Sequence, residues 1–133
     1  MACVIGLKGK RDTHQALINA GTVKYCGRQC TLGGWVLEGS IWANPFRVGR
    51  DVPDATMAVK AYYEWFTGVR PKPVDAPYYI PDVEVLIGKI HELRGLPLAC
   101  WCRVKGNEPC HCDVPLWYAN GILSDVLRQI LTQ

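Results

Sequence analysis

At 133 residues, 49% of them apolar and 20% charged, the chain is long enough to bury a core of its own, which excludes a disordered or fibrous protein. No apolar run approaches the roughly 20 residues that cross a bilayer, and the first residues lack the basic leader of a secretory signal, so a cytoplasmic protein without a membrane partner is expected. The net charge of +3 is a mild bias toward anionic partners, and seven cysteines, an odd number, argue for reduced thiols or metal ligands over a closed disulfide framework.

Ala2 to Leu7 reads as a short strand, followed by a basic loop from Lys8 to Asp12. Val23–Arg28 and Trp35–Trp42 alternate large apolar with small or polar residues, and the glycines of Thr31-Leu-Gly-Gly34 lie between them, a pattern that predicts a β-hairpin. Asn44-Pro45 closes it, because a residue before proline is pushed out of the helical region. A first helix is predicted from Asp54, whose carboxylate suits an N-cap, with Ala58, Val59, Tyr62, Tyr63 and Phe66 on one face and Gly68 as its stop. Arg70 to Pro81 carries four prolines in twelve residues and reads as a connecting loop. A second helix opens at Pro81-Asp82, with Val83, Leu86, Ile87, Ile90 and Leu93 on one face, and ends at Gly95.

Leu96 to Cys102 is a short, nearly continuous apolar run, as expected of a strand buried on both faces of a parallel sheet. Alternation along it would put Leu98, Cys100 and Cys102 on one face and Ala99 and Trp101 on the other. A third helix is predicted from Asp113, with a stripe through Val114, Trp117, Tyr118, Ile122, Val126 and Ile130 that breaks at Asn120-Gly121 and restarts at Ser124. The expected fold is therefore one α/β domain over residues 1–133, with a small, partly parallel sheet, an N-terminal hairpin and about three helices.

The densest chemistry is in Cys100-Trp-Cys102 and Cys110-His-Cys-Asp113. Three readings compete for it. Thiolates and imidazole are the preferred ligands of zinc, and Cys100, Cys102, Cys110 and His111, with Cys112 also in reach, could close a tetrahedral site. Against this, both pairs are C-x-C, and a buried strand leaves little room to turn two sulfurs onto one ion. Alternatively, Cys110 at a helix start is a reactive thiol, since the helix field lowers a thiol pKa there, with His111 as base or hydrogen-bond donor and Asp113 counted with them as catalytic or, more simply, capping the helix. Lastly, buried cysteine is often a small apolar filler, the better reading for Cys3, Cys26 and Cys30.

Farther up the chain, Gly27-Arg28 and Asn44 suit the wall of an anion pocket: a guanidinium clamps phosphate with two parallel hydrogen bonds, and Asn44 offers donor and acceptor at a rigid corner. Arg50 joins this set, while Arg47, His14 and His91 carry no signal beyond solvated surface. The five tryptophans read mostly as core, though one could stack a nucleobase.

The order of G-R at 27–28, W-x-N-P-F at 42–46, an aromatic helix at 55–67, R-G-x-x-L at 94–98 and C-W-C…C-H-x-D-V at 100–114 resembles a domain-of-unknown-function family of small phage, bacterial and fungal proteins. The resemblance spans about residues 23 to 123 and marks Gly27, Arg28, Asn44, Pro45, Cys100, Cys102, Cys110, His111 and Asp113, without implying a reaction. Two departures stand out: the loop Arg103–Pro109 is longer than the usual form, and Cys112 replaces a small residue, so a four-cysteine site would be peculiar to this chain. The expectation is a domain that binds, and could process, a phosphate-bearing ligand of the nucleotide or nucleotide-sugar class. The alternative is a zinc-stapled interaction module for nucleic acid. Oligomeric state leaves no trace in the sequence.

Overall fold

The computed structural model describes residues 2–103 and 106–132. Its centre is the apolar run expected to be a buried strand: β3, Leu98–Cys100, whose three residues are all at 1% exposure or less. β1, Val4–Gly6, and β2, Lys24–Tyr25, flank it in the order β1-β3-β2, both parallel to it. Val4 and Lys24 both pair with Leu98. The alternation holds: Leu98 and Cys100 join the main core, whereas Ala99 joins a smaller cluster with Leu7, Val23, Tyr25, Trp35 and Leu37 on the other face. Gly6 is required on β1, because a Cβ there would overlap the carbonyl oxygen of Arg103.

The expected hairpin does not form. Residues 23–28 instead give β2, whose flanking amides bond to the central strand, Lys24 N–H to the Pro97 carbonyl at 3.0 Å and Cys26 N–H to that of Ala99 at 2.9 Å. Trp35–Trp42 is not a strand; what is left of the antiparallel pairing is one bridge, Cys30 to Leu37, with two hydrogen bonds of 2.9 Å around the turn at Leu32–Gly34, and a bond from Ser40 N–H to the Gly27 carbonyl at 3.0 Å. The named strands are thus wholly parallel rather than partly so.

There are five α-helices among the described residues, not about three. The unexpected one is α1, Arg11–Asn19, which begins inside the predicted basic loop. It has no side-chain cap and no buried residue, and touches the smaller cluster through Ile18. α2, Ala55–Phe66, is capped as expected, the Asp54 carboxylate accepting from Met57 N–H at 2.8 Å, and buries Ala58, Val59, Ala61, Tyr62, Trp65 and Phe66. α3, Val83–Lys89, continues as a 3-10 turn to Leu93, and Gly95 follows at φ 76°. α4, Asp113–Asn120, stops at Gly121 in the left-handed region, φ 70°, and α5, Asp125–Leu131, restarts with Ser124 accepting from Leu127 N–H at 3.1 Å. No helix is long and apolar enough to cross a membrane among the described residues.

Candidate functional site

A cleft of about 350 Å³ opens at the carboxyl ends of β2 and β3, the position at which open parallel sheets hold their ligands. The residues just after β2 (Gly27, Arg28) and at and after the end of β3 (Cys100, Trp101, Cys102) form one side. The loop through Asn44, Phe46 and Val48, the α2 residues Ala55, Ala58 and Val59, and Pro109 with His111 complete it. Residues 16 to 83 apart in the chain, Arg28, Asn44 and His111, thus come to face one space.

Each wall is held by bonds that the sequence does not reveal. The Trp101 indole N–H donates to the Tyr25 hydroxyl at 2.9 Å, and that hydroxyl donates to the Arg28 carbonyl at 2.5 Å. Trp35 packs edge-on against the Trp101 ring at 5.2 Å. This chain fixes the Arg28 loop against the end of β3. A Cβ on Gly27 would overlap the Tyr25 hydroxyl, so glycine is needed there. The exposed Arg28 side chain reaches across with one Nη, donating to the carbonyls of Asn44 at 3.1 Å and Phe46 at 3.4 Å. Its remaining donors are available for a ligand. Asn44 is spent on structure: its amide donates to the Ala58 carbonyl of α2 at 3.0 Å, and its oxygen accepts from Phe46 N–H at 2.9 Å. It shapes the cleft rather than offering a free end.

Two expected site residues lie elsewhere. Arg50 is not among the cleft-lining residues; it pairs with Asp75, which Arg47 also holds at 2.7 Å while gripping Asp51 at 2.8 Å. Asp113, expected among the catalytic residues or as a helix cap, neither lines the cleft nor caps a helix through its side chain. It is 1% exposed and ion-paired with Arg103, at 3.1 and 2.6 Å through two parallel contacts. Arg103 also donates to the Glu108 carbonyl at 2.9 Å, which ties down the loop between the cysteine pairs. Within that loop Val104 and Lys105 lie outside the described residues.

The thiols gather beside the cleft, and Cys100 and Cys102 line it. Cys110, expected at a helix start and reactive, precedes α4 by a tight turn, Asp113 N–H to the Cys110 carbonyl at 3.2 Å, and is fully buried. Its sulfur lies 2.8 Å from that of Cys100. Cys112 is buried as well, and Cys102 is exposed. Cys100 is driven well below the ordinary thiol pKa because Cys102, Cys110 and Cys112 turn their hydrogens onto it. Cys102 is pushed up by giving its hydrogen to Cys100; Cys110 is pushed up by burial first and then by Cys100, and Cys112 by burial first and then by Cys100 and Cys110. The cluster therefore gives up one proton readily and further ones only at a cost.

His111 Nε2 lies 2.6 Å from the Cys26 carbonyl, which has only lone pairs, so Nε2 carries the hydrogen. Burial lowers its pKa, leaving a neutral imidazole packed 5.2 Å from the Tyr62 ring. Of the two groups expected to do chemistry beside Asp113, His111 reaches the cleft wall and Cys110 does not; Cys102 is the thiol that does so from an exposed position. Two donor sets, Cys100–Cys110–Cys112 and Cys102–Cys110–His111, each have their ligand atoms within 4.8 Å of one another and could hold a metal ion. Sequence reasoning missed Arg103, Tyr25 and the Trp101 N–H. Only Arg103 left a signal, as a cation immediately after a cysteine pair.

Residues 9–121 match the family described as a domain of unknown function, DUF4326, and the chain belongs to that family. It is also similar to an uncharacterised protein of Acanthamoeba polyphaga mimivirus, 29% identical over 108 residues, which cover 81% of this chain and 69% of the viral one. No solved structure is similar to it at a significant level.

Proposed function

We propose that this member of the DUF4326 family binds a phosphate-bearing small molecule of the nucleotide or nucleotide-sugar class in the cleft at the ends of β2 and β3. Arg28 meets the anion, and the apolar wall of Phe46, Val48 and Val59 with the indole of Trp101 takes the base or sugar. The observation that carries this reading is the shared cleft: a guanidinium with unused donors, a neutral imidazole and an exposed thiol line one space of about 350 Å³. That volume is within the range of small-molecule pockets, roughly 300–1,000 Å³. If the ligand is processed, His111 and Cys102 are the groups positioned to act on it, with the unprotonated ring nitrogen of His111 as base. The seven cysteines suit a reducing, cytoplasmic setting; all are free thiols in the structure.

The test is a thermal-shift panel of nucleotides, nucleotide sugars, sugar phosphates and inorganic phosphate, with isothermal titration of each hit. A nucleotide-class hit whose affinity drops about 10- to 100-fold in Arg28→Ala, the loss of one charge-assisted contact, supports the reading. No hit in the panel, or equal binding by Arg28→Ala, overturns it.

A second reading is favoured by the gathered thiols: a zinc-stapled module, with nucleic acid as its partner. Elemental analysis of protein purified under reducing conditions decides whether stoichiometric zinc is present, and a single-stranded oligonucleotide titration decides the partner.

A further inference from the structure

The geometry points to a single zinc-class cation closed by four sulfurs, those of Cys100, Cys102, Cys110 and Cys112, with His111 outside the coordination sphere and facing the cleft. This rests on the second reading above for the presence of metal, and adds to it the ligand set and its connection to the cleft. Under it the staple and the ligand pocket cease to be rivals, because the ion holds the floor on which the pocket stands.

The objection raised by the sequence was the C-x-C spacing. Along a continuing strand, residues i and i+2 lie about 6.6 Å apart, too far for two sulfurs that must approach to about 3.8 Å, the edge of a tetrahedron with zinc–sulfur bonds of about 2.3 Å. The structure eases that objection. β3 ends at Cys100, and the chain bends at Trp101–Cys102. The bend turns the Cys102 sulfur to within 4.8 Å of that of Cys110. On the other side of the site, successive turn bonds from Asp113 N–H to the Cys110 carbonyl at 3.2 Å and from Val114 N–H to that of His111 at 3.0 Å curl Cys110-His-Cys112 tightly. The Cys112 sulfur then lies within 4.8 Å of those of Cys100 and Cys110. Cys100 and Cys110 are already closer, at 2.8 Å, than the tetrahedral edge requires, so this pair would spread slightly on an ion while Cys102 and Cys112 close in on it.

His111 is the competitor for the fourth position, since it forms a donor set with Cys102 and Cys110. Cys112 is preferred for two reasons. It lies with Cys100 and Cys110 in the fully buried donor set, and three thiolates already favour a soft cation that takes a fourth sulfur over nitrogen. His111 is meanwhile anchored on the Cys26 carbonyl at 2.6 Å and packed at a tilt against Tyr62, an orientation that fixes the ring as part of the cleft wall. Four thiolates leave a net charge of −2 around a divalent ion, and the Arg103 guanidinium, whose field reaches Cys100 and Cys110, offsets part of it.

X-ray absorption at the zinc edge of the intact wild-type chain, purified reduced, tests this without any variant having to fold. One zinc per chain with a shell of four sulfurs near 2.3 Å is expected. One zinc with three sulfurs and one nitrogen overturns the ligand set while leaving the stapled reading standing. Less than a tenth of an equivalent of zinc, both as purified and after reconstitution with zinc or cobalt(II) under reducing conditions, overturns both. Two substitutions give an independent check. His111→Ala is expected to keep a full equivalent of cobalt(II) and its thiolate charge-transfer bands, and Cys112→Ser to lose at least half of that intensity; the reverse pattern refutes the four-sulfur site.

Discussion

Replacing Arg103 by Met tests how the cysteine segment is anchored. Arg103 and Asp113 are 11% and 1% exposed at their side chains and meet through two contacts, at 3.1 and 2.6 Å. Met keeps most of the apolar stem but removes the guanidinium, so the Asp113 carboxylate is left buried without its counter-charge. Stranding one partner of a buried pair costs about 3–5 kcal/mol, and the loss of the bond to the Glu108 carbonyl adds to it. For a chain of this size that is a fall in Tm of roughly 10–20 °C, measured by thermal and urea unfolding at pH 7. The double variant Arg103→Met/Asp113→Leu, which carries no stranded charge, should recover part of the loss. A single variant within about 0.5 kcal/mol of wild type would refute a buried pair as the anchor.

Three further outcomes follow from the same geometry. Asn44→Ala removes the bonds to the Ala58 carbonyl and the Phe46 amide together, and urea unfolding should show a loss of about 1–3 kcal/mol; an unchanged midpoint would mean that the loop is held by other contacts. Gly6→Ala forces a methyl into the Arg103 carbonyl oxygen, so it should destabilise by about 1–3 kcal/mol, where alanine at an unhindered glycine stabilises. Asp51 sits well below the ordinary carboxyl range because Arg47 hydrogen-bonds it. Its contribution is therefore present above about pH 4 and lost as the pH falls through its folded value. Asp51→Asn should be less stable than wild type at pH 7, with the gap closing in acid; a gap independent of pH would show that the ion pair contributes nothing.

What the residues determine by themselves is whatever depends on near neighbours. Leu98-Ala-Cys100 is apolar at every position and can only be a strand covered on both faces. The Asp54 cap and the i, i+3, i+4 pattern of α2 specify that helix before any tertiary contact is known, and Gly121 with Ser124 divides α4 from α5. The crowding of thiols and imidazole into residues 100–112 likewise marks the candidate site. Pairing partners are another matter. Val23–Arg28 has the alternation of a hairpin arm, yet its amides went to Pro97 and Ala99, more than seventy residues away, because a buried central strand must satisfy its backbone on both edges. α1 lies where the sequence predicts a basic loop, because polar residues dominate a segment whose few apolar side chains only fringe the smaller cluster. Nor could spacing tell that Asp113 would belong to Arg103, that Asn44 would be spent on α2, or that β3 would stop at Cys100 and let Cys102 turn back on its neighbours. Those outcomes depend on where separate segments meet in space, and only the packed chain decides that.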